Sequence, residues 1–358
     1  NGGASTATST LGSPSAGNPT VPAFYDQRLV LAGPVASPQQ FNMSQPGAQY
    51  NFDVSTISQP DDAIQGTLVS GQLSTIQSLV AQPQGLMVFS DNLAWLINGG
   101  SPGIGVGPAQ IVANPQAYNG ANFMPPIIAN DHMLYVQSKG SIVRDSIFNW
   151  SKQVYSGTDI STISSHLFYG YTLHEWAWAE EPYKVLWAVR SDGTLLSLTF
   201  LPEQELVAWT HGDTSGAFQS VATVTETISS GVAVDAIYFI VQREINGSTV
   251  QYVERLADIP SPQTLANSWQ VDAGITYSGA AALTFLGAQH LAGETVTGIA
   301  VTDTDPPTAA KITPFTMAAN GSFTLPTPAS PATGYIGVTL GLAFTCQLKT
   351  VALDAGDP

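Results

Sequence analysis

The sequence predicts an all-β protein, and three features of its 358 residues support that prediction. Short apolar runs rich in β-branched and aromatic residues recur between polar turn signals, which is the pattern of paired strands. The 24 prolines and 33 glycines are spread along the chain and favour many turns. Segments with the apolar periodicity of a helix are scarce. We therefore expect antiparallel strands joined by tight turns.

The most regular feature is a strand-turn-strand unit that recurs along the chain. Each copy has two apolar runs around a turn with Gly or Asn, residues that supply the positive φ of hairpin loops. The copies are GLMVFSDNLAWLING (85–99), HMLYVQSKGSIVRDSIF (132–148), KVLWAVRSDGTLLSLTF (184–200) and AIYFIVQREINGSTVQYVERL (236–256). Their spacing of roughly 50 residues is typical of β-propeller blades. A β-propeller is the first prediction, and an irregular β-sandwich is the alternative.

The alternation of side chains along a strand predicts individual strands and the residues that face the core. RLVLAG at Arg28–Gly33 predicts a strand that precedes the repeated units. In the copy at 184–200, RSDG predicts the turn. Side chains two apart on a strand share a face. The predicted core residues of this copy are therefore Trp187, Val189, Leu196 and Leu198.

One segment predicts a short helix. In DISTISSHLF, at Asp159–Phe168, Asp159 or Ser161 is a suitable N-cap. Ile160, Ile163 and Leu167 would then lie on one face of about two turns.

Composition divides the chain into three regions. Residues 1–20 are mostly Gly, Ser, Thr, Ala and Pro without periodicity, which predicts a flexible arm or linker. Residues 21–262 carry the repeated units and form the predicted propeller body. In residues 263–358 the apolar runs are shorter and rich in Thr and Val, which predicts a small appended or inserted β-barrel or sandwich. The chain starts at Asn1 and ends in LDAGDP, and we expect that both ends are trimmed from a longer polypeptide.

The charge balance restricts the partners. The chain has 26 acidic and 10 basic side chains, a formal net charge of −16. Proteins that bind nucleic acid electrostatically neutralise phosphates with Lys and Arg, so we expect no such binding here. An acidic wall could instead surround DNA without holding it. No run of about 18 apolar residues occurs, so the sequence predicts no membrane span.

One segment has the composition of a sugar-cleaving site. LHEWAWAEEPYK, at Leu173–Lys184, contains three glutamates and two tryptophans, which are Glu175, Glu180, Glu181, Trp176 and Trp178. Glycosidases place two carboxylates around the scissile bond. On a strand, the two tryptophans share one face and Glu175 lies on the other, while Glu180 and Glu181 fall at the strand's end. The alternation favours a structural strand.

Other motifs are too incomplete to assign a catalytic, cofactor-binding or metal-binding residue, and the sequence predicts none. The loop SPGIGVGP (101–108) lacks the last Gly and the Lys of nucleotide-binding loops. No G-x-S-x-G nucleophile motif occurs. The acidic turns DDAI (61–64) and TDTDPP (302–307) lack the ligand spacing of a calcium loop. The five histidines are scattered: His132, His166, His174, His211 and His290. The single cysteine, Cys346, lies in the strand-like run AFTCQL and is interpreted as a small buried hydrophobe.

The block HLFYGYTLHEWAWAEEPYKVLWAVRSDGTLLSLTFLPEQELVAWTHGDTSGAFQSVATV, at His166–Val224, resembles a known family. So do RLVLAG, DDAIQGTLVSGQLSTIQSLV, GSIVRDSIF and QYVERL, and the final segment resembles a small β-domain that accompanies it. This family is the tail-tube nozzle (tail tubular protein B-like) of short-tailed bacteriophages. The resemblance covers about Phe24 to Leu353.

The resemblance implies a structural virion protein and not an enzyme. Nozzle proteins form a homohexameric ring below the portal and adaptor, with a β-propeller in each subunit. The ring continues the channel for double-stranded DNA, docks tail fibres and gates genome ejection. The resemblance therefore implies a location in the virion tail, and in the host cytoplasm during assembly. It brings no catalytic residues.

The sequence also predicts a contact surface and leaves two alternative functions open. The loops Ser101–Pro108 and Asn114–Pro126 are the predicted contact surfaces. The alternative function is a carbohydrate-binding or carbohydrate-cleaving β-propeller, suggested by the Trp/Glu segment. A secreted adhesion module is a third hypothesis, and it depends only on the Thr/Gly/Ala-rich composition of the last region.

Overall fold

The computed structural model describes residues 17–228, 231–258 and 264–347. Strands hold 50% of the residues and helix holds 4%, in several antiparallel sheets. The predicted all-β class is therefore confirmed. Residues 1–16, most of the predicted arm, lie outside the described residues.

The chain forms two compact units. Unit one comprises Asn1–Trp178 and Leu198–Thr210, and unit two comprises Ala179–Ser197 and His211–Pro358, within the described ranges. Unit one contains the N-terminal sheets, and unit two contains a long three-stranded sheet and the C-terminal strands.

The first sheet is a four-stranded meander in chain order. Its strands are β1 (Val21–Tyr25), β2 (Arg28–Ala32), β3 (Gln40–Met43) and β4 (Ile64–Thr67). The turn between β1 and β2 consists of Asp26 and Gln27, with φ of 48° and 59°. Two successive positive φ values match the twist of an antiparallel pair, as in a type I′ hairpin. The predicted strand RLVLAG corresponds to β2.

The second sheet has the same meander order and the most apolar strands. Its strands are β5 (Ile76–Gln82), β6 (Gly85–Ser90), β7 (Ala94–Asn98) and β8 (Val112–Ala117). Every residue of β6 and β7 is buried. Such strands are covered on both faces, and their sequence loses the usual alternation of apolar and polar residues.

The two faces of the second sheet belong to two different cores. Leu86 and Val88 pack in one cluster with Val30 and Met43 of the first sheet. Met87 and Phe89 point the other way, into a cluster with side chains of the third group of strands: Met133, Tyr135 and Tyr155. Each fully buried side chain of this size contributes roughly 1.5–3 kcal/mol. The second sheet is therefore the central layer of a face-to-face stack.

The third group of strands consists of two small sheets. One has the order β11-β10-β9, and the other pairs two further strands. Their ranges are β9 (Ile127–Ala129), β10 (His132–Val136), β11 (Val143–Arg144), β12 (Ile147–Asn149) and β13 (Val154–Ser156). The predicted SKG turn joins β10 to β11, and its Gly140 has a φ of 84°. The rings of Phe89 and Tyr135 lie 4.8 Å apart and connect this group to the second sheet.

The fourth sheet is again a four-stranded meander in chain order. Its strands are β14 (Leu173–Ala179), β15 (Val185–Arg190), β16 (Leu195–Leu201) and β17 (Leu206–Gly212). Of the predicted core residues, Val189, Leu196 and Leu198 are buried, and Trp187 is half-buried. The predicted core face is confirmed in β16, whereas in β15 Leu186 and Ala188 on the opposite face are fully buried as well.

The RSDG turn between β15 and β16 is closed by both backbone and side chains. Gly193 has a φ of 82°, and its N–H donates to the carbonyl oxygen of Arg190 at 2.9 Å. The Asp192 carboxylate accepts from Arg190 Nε at 2.8 Å and Nη2 at 2.6 Å. It also accepts the backbone N–H of Thr194 at 3.2 Å. The charged residues of this turn therefore fix its shape.

Unit two contains a long three-stranded antiparallel sheet. Its strands are β18 (Ala217–Thr227), β19 (Ala233–Ile245) and β20 (Ser248–Arg255). The predicted NG turn joins the last two, and Asn246 and Gly247 have φ of 50° and 77°. One face carries buried side chains such as Phe239 and Val241, while Ile240 on the other face is 38% exposed.

The C-terminal strands form a four-stranded sheet of order β21-β26-β23-β24 and a two-stranded sheet of β22 and β25. Their ranges are β21 (Asp272–Ala282), β22 (Thr284–Phe285), β23 (Thr295–Thr302), β24 (Ala309–Thr316), β25 (Phe323–Thr324) and β26 (Tyr335–Leu342). Phe285 and Phe323 stack at 5.2 Å and share a core with Val338 and Leu340. The predicted small β-region thus has its own apolar core.

The short helix predicted at Asp159–Phe168 is present only in part, and its predicted cap and apolar face are wrong. The segment contains only a 3₁₀ helix, Thr162–Leu167, and Ser161 makes no side-chain cap bond. The Asp159 carboxylate instead accepts from the backbone N–H and hydroxyl of Ser161, at 2.8 and 2.6 Å. Such local bonds compete with helix formation. Ile163, predicted on the apolar face, is 96% exposed.

The interpretation of Cys346 as a buried strand residue is also wrong. Strand β26 ends at Leu342, and Cys346 is exposed. Its apolar neighbour Phe344 is 51% exposed. The apolar character of AFTCQL therefore reflects a surface segment.

Candidate binding cleft in unit two

A cavity of about 540 Å³ lies within unit two. It is lined by side chains of β18 to β20, by the segment that leads into β21, and by residues of the C-terminal region. Its volume is in the range of small-molecule sites, which are mostly apolar with a few convergent polar groups.

Arg243 is not a lining residue, but it holds two of the acidic residues that line the cleft, Glu254 and Asp272. It is on the buried face of β19 and is 1% exposed. Its Nε and Nη2 donate to the two carboxylate oxygens of Glu254 at 2.6 and 2.7 Å, and Nη2 also lies 3.3 Å from Asp272 Oδ1. Its Nη1 donates to the carbonyl oxygen of Ser215 at 2.9 Å. A two-pronged pair of this kind fixes the carboxylate in both position and plane.

The acidic partners of Arg243 change its pKa. Burial acts to lower the pKa of Arg243, but its hydrogen bonds to Glu254 and the charge of Asp272 outweigh that effect, and the pKa is raised. Asp272 also accepts from the Thr214 hydroxyl and from the backbone N–H of Ala273. The cleft lining includes three carboxylates, those of Asp213, Glu254 and Asp272, and one guanidinium, that of Arg255. With Arg243 included, three formal negative charges stand against two positive ones.

Trp269 provides an aromatic wall. The side chain is 38% exposed, yet its indole N–H donates to the carbonyl oxygen of Val271 at 2.9 Å. Gly274 packs against the same ring, and a Cβ there would lie 2.6 Å from the indole Cζ2. The ring is thus held in place while part of its surface remains open.

Tyr252 and His290 form a second aromatic pair at the cleft. Their rings meet edge to face at 6.0 Å. His290 Nε2 lies 2.9 Å from the carbonyl oxygen of Ala273. A carbonyl only accepts, so the neutral imidazole carries its proton on Nε2 and keeps a lone pair on Nδ1. The cleft therefore combines aromatic surface with hydrogen-bond acceptors.

The sequence-predicted Trp/Glu segment does not form a site of this kind. Trp176 is buried, and its indole N–H donates to the carbonyl oxygen of Pro125 at 2.8 Å. Glu175 is exposed on β14, and Glu180 and Glu181 follow the end of that strand. The backbone N–H groups of these last two donate to Asp235 at 2.8 and 3.1 Å. These positions match a structural strand end.

The two loops predicted as contact surfaces differ in exposure. In Ser101–Pro108, the backbone N–H of Val106 donates to Asp26 Oδ2 at 2.9 Å, so the first hairpin holds this loop. In the segment Asn114–Pro126, Tyr118 is 84% exposed. The first four residues of this predicted loop belong to strand β8, and the remainder offers an exposed aromatic side chain.

The histidines and acidic turns singled out in the sequence lie apart from one another. His132 Nδ1 is 3.2 Å from Asp145 and His211 Nε2 is 3.7 Å from Asp213. In the first acidic turn, Asp62 is buried, and the backbone N–H of Gln59 lowers the pKa of its carboxyl. In the second, the Asp303 carboxylate accepts the backbone N–H of Thr333 at 2.9 Å. Both acidic turns therefore use their carboxylates to close loops.

The part of the chain that the structure describes contains no group of three or more His, Cys, Asp or Glu side chains placed to hold a metal ion. Over the same ranges, no helix has the length and apolar character needed to cross a membrane.

Sequence reasoning missed the cleft because its residues are dispersed. Arg243 and Glu254 belong to one hairpin, whereas Trp269 and His290 come from later segments. The available signal was the arginine within the apolar run AIYFIVQREI, since a charge on the buried face of a strand requires a partner. The glutamate of QYVERL is that partner.

Comparison with known proteins gave no match: no family model matches the chain, and no curated protein does. The fold is therefore the structural basis for the functional proposal.

Proposed function

We propose that this chain is a structural subunit of a bacteriophage tail nozzle, with a β-propeller body. The observation that carries the proposal is the succession of four-stranded antiparallel meanders in chain order, β1–β4, β5–β8 and β14–β17. Up-and-down sheets of four strands are the units from which propeller blades are made. The resemblance of residues 166–224 to nozzle proteins gives the architecture its proposed role.

Packing within unit one supports the blade interpretation. The second sheet buries both faces, one in a core with the first sheet and the other in a core with the third group of strands. In a propeller, each inner blade packs between two neighbours in the same way. In this proposal the third group, with its two small sheets, is an irregular blade.

The charge of the chain suits a DNA passage. Each copy carries a net charge of −16, and a homohexamer carries six times that value. Phosphates are repelled by an acidic surface, so DNA would pass without being retained. The proposed partners are the portal or adaptor, the tail fibres and the passing double-stranded DNA, and the proposed location is the virion tail.

The proposal assigns the chain no enzymatic activity. The Trp/Glu segment that suggested sugar cleavage has its first tryptophan buried and hydrogen-bonded to Pro125. That geometry gives the carbohydrate-cleaving alternative no support from this segment.

Cryo-electron microscopy of particles that contain the chain tests the proposal. We expect a ring with six copies of the 37.5 kDa chain at the distal tail. Mass spectrometry of the same purified particles is the control for its presence. Particles that hold the chain only as isolated monomers would contradict the proposal.

A filter-binding assay with double-stranded DNA provides a second test. We expect no retention of DNA by the purified chain even at about 50 mM salt, where phosphate contacts are strongest. Retention that falls steeply with salt would indicate a basic binding surface and would contradict the acidic passage.

A further inference from the structure

We propose that the cleft of unit two binds one pyranose residue of a glycan. This inference concerns a site that the nozzle proposal does not require, and it holds or fails independently of the assembly. The cleft combines a fixed and partly open tryptophan, a second aromatic pair and several hydrogen-bond acceptors in about 540 Å³.

Trp269 is the proposed stacking surface. A pyranose presents one face of C–H groups, which packs well against an indole because both surfaces are flat and apolar. The bond from the indole N–H to Val271 and the close approach of Gly274 hold the ring before a ligand arrives. A fixed ring loses little conformational entropy on binding. Phe344, 51% exposed, lines the same cavity and extends the apolar wall.

The polar groups of the cleft match the hydroxyl groups of a sugar. Each Glu254 oxygen accepts one bond from Arg243 and has a second lone pair. His290 Nδ1 accepts, and the Tyr252 hydroxyl both donates and accepts. Sugar hydroxyls donate to such acceptors and can accept from the tyrosine. A site that fixes these acceptors in advance discriminates strongly between ligands with and without the matching hydroxyl.

The arrangement favours binding over cleavage. Glycoside hydrolysis requires one carboxyl that holds a proton to give to the leaving oxygen. Glu254 and Asp272 instead both face the guanidinium of Arg243, which has only hydrogen-bond donors, so their oxygens act as acceptors towards it. Their role in the proposal is to accept hydrogen bonds from the ligand.

Saturation-transfer NMR on the full chain tests the proposal, with the methyl glycosides of glucose, galactose, mannose and N-acetylglucosamine as probes. At roughly 10 mM probe, a site with a millimolar Kd is well occupied. We expect transfer to the C–H protons of one ring face for at least one probe. Trp269→Ala should weaken that binding roughly tenfold or more, as expected for loss of an aromatic anchor.

Two more variants keep the test decisive. Phe344→Ala changes an exposed side chain, so it should preserve folding and weaken binding several-fold. Trp150→Ala is the matched control, because Trp150 is 68% exposed in unit one and should leave binding unchanged. Near-ultraviolet circular dichroism checks that each variant is folded.

Three results would overturn the proposal. The first is no transfer from any of the four glycosides. The second is transfer of equal strength in the wild type, Trp269→Ala and Phe344→Ala, which would place the sugar elsewhere. The third is transfer from tetramethylammonium that depends on Trp269, with none from the sugars, since this would identify a cation site formed by aromatics and carboxylates.

Discussion

Each compact unit contains a fully buried arginine, and the two side chains are satisfied by different partners. Arg28 in unit one is 1% exposed and donates to the backbone carbonyl oxygens of Ser44 and Asp62 at 2.8 and 2.7 Å. Arg243 in unit two is equally buried at 1% and donates to carboxylates. The guanidinium of Arg28 therefore bonds neutral carbonyl groups, and that of Arg243 bonds carboxylates.

The different partners correspond to different roles: Arg28 anchors a loop, and Arg243 holds acidic residues that line a cleft. Burial lowers the pKa of Arg28, although the charges of Asp26 and Asp61 act against it. The pKa of Arg243 is raised, because bonds with Glu254 and the charge of Asp272 exceed the effect of burial. Arg28 connects β2 to the long loop before β4, whereas Arg243 orients two acids beside open space. Burial alone therefore does not indicate whether a charged residue has a structural or a binding role.

The largest effect on stability should come from removing Arg243, which bonds Glu254 and Asp272. Arg243→Leu leaves Glu254 and Asp272 near each other without a cation, and we expect a loss of about 4 kcal/mol in the free energy of unfolding. Urea denaturation measures it. Arg243→Lys keeps the charge but loses the two-pronged bond and should recover part of the loss. A loss below about 1 kcal/mol for the leucine variant would show that the pair is solvated.

Replacing the other buried arginine should cost less. Arg28→Met leaves two buried carbonyl oxygens without their donor, for a loss of about 2 kcal/mol by the same measurement. The cost is reduced because Nε of Arg28, which has no partner among the described residues, is removed as well. A loss larger than that of Arg243→Leu would reverse the comparison between the two units.

The smallest effect on stability should come from the surface ion pair of Arg190 and Asp192, and this effect depends on pH. The side-chain bond from Arg190 lowers the pKa of Asp192, so this carboxyl stabilises the fold above its unfolded pKa of about 3.9. That contribution is lost as the pH falls below about 4, because the unfolded state then binds the proton more readily. Asp192 is 32% exposed, so the effect should stay below about 1 kcal/mol.

Thermal unfolding of the wild type and Asp192→Asn at about pH 7 and about pH 3 measures this contribution. The wild type should lose more stability on acidification than the variant does. Equal losses would show that the RSDG turn does not depend on the ionised carboxylate. Asp213→Asn is a suitable control, since Asp213 is exposed and bonded only loosely to His211.

Local patterns predicted much of the strand structure. The NG turn at Asn246 and the SDG turn at Gly193 have the positive φ that their sequences require, because such turns depend on residues that are adjacent in sequence. Only a 3₁₀ helix formed within Asp159–Phe168, because local bonds between Asp159 and Ser161 replaced the predicted cap. The spacing of apolar residues does not show that side-chain bonds of this kind compete with a helix cap.

The cleft could not be predicted because it depends on tertiary contacts. Trp269 gains its importance from Val271 and Gly274, whose positions follow from the way the chain turns into β21. The Trp/Glu segment was more conspicuous in sequence, yet Trp176 points into the interior. The alternation of the strand separated the neighbouring residues of the Trp/Glu segment, whereas the fold brought together cleft residues that are far apart in the sequence.

The uniform burial of β6 and β7 has a consequence for strand register. In an alternating strand, a slip by one residue would expose apolar side chains, and this penalty selects the correct pairing. In these two strands a slip would exchange one apolar residue for another, so the penalty is weak. The hairpin itself must set the alignment: the Ser90 hydroxyl bonds both the carbonyl oxygen and the N–H of Leu93, at 2.8 and 3.1 Å. The buried Ser90, through its hydroxyl and its backbone N–H, therefore closes the turn that aligns these two strands of the central layer.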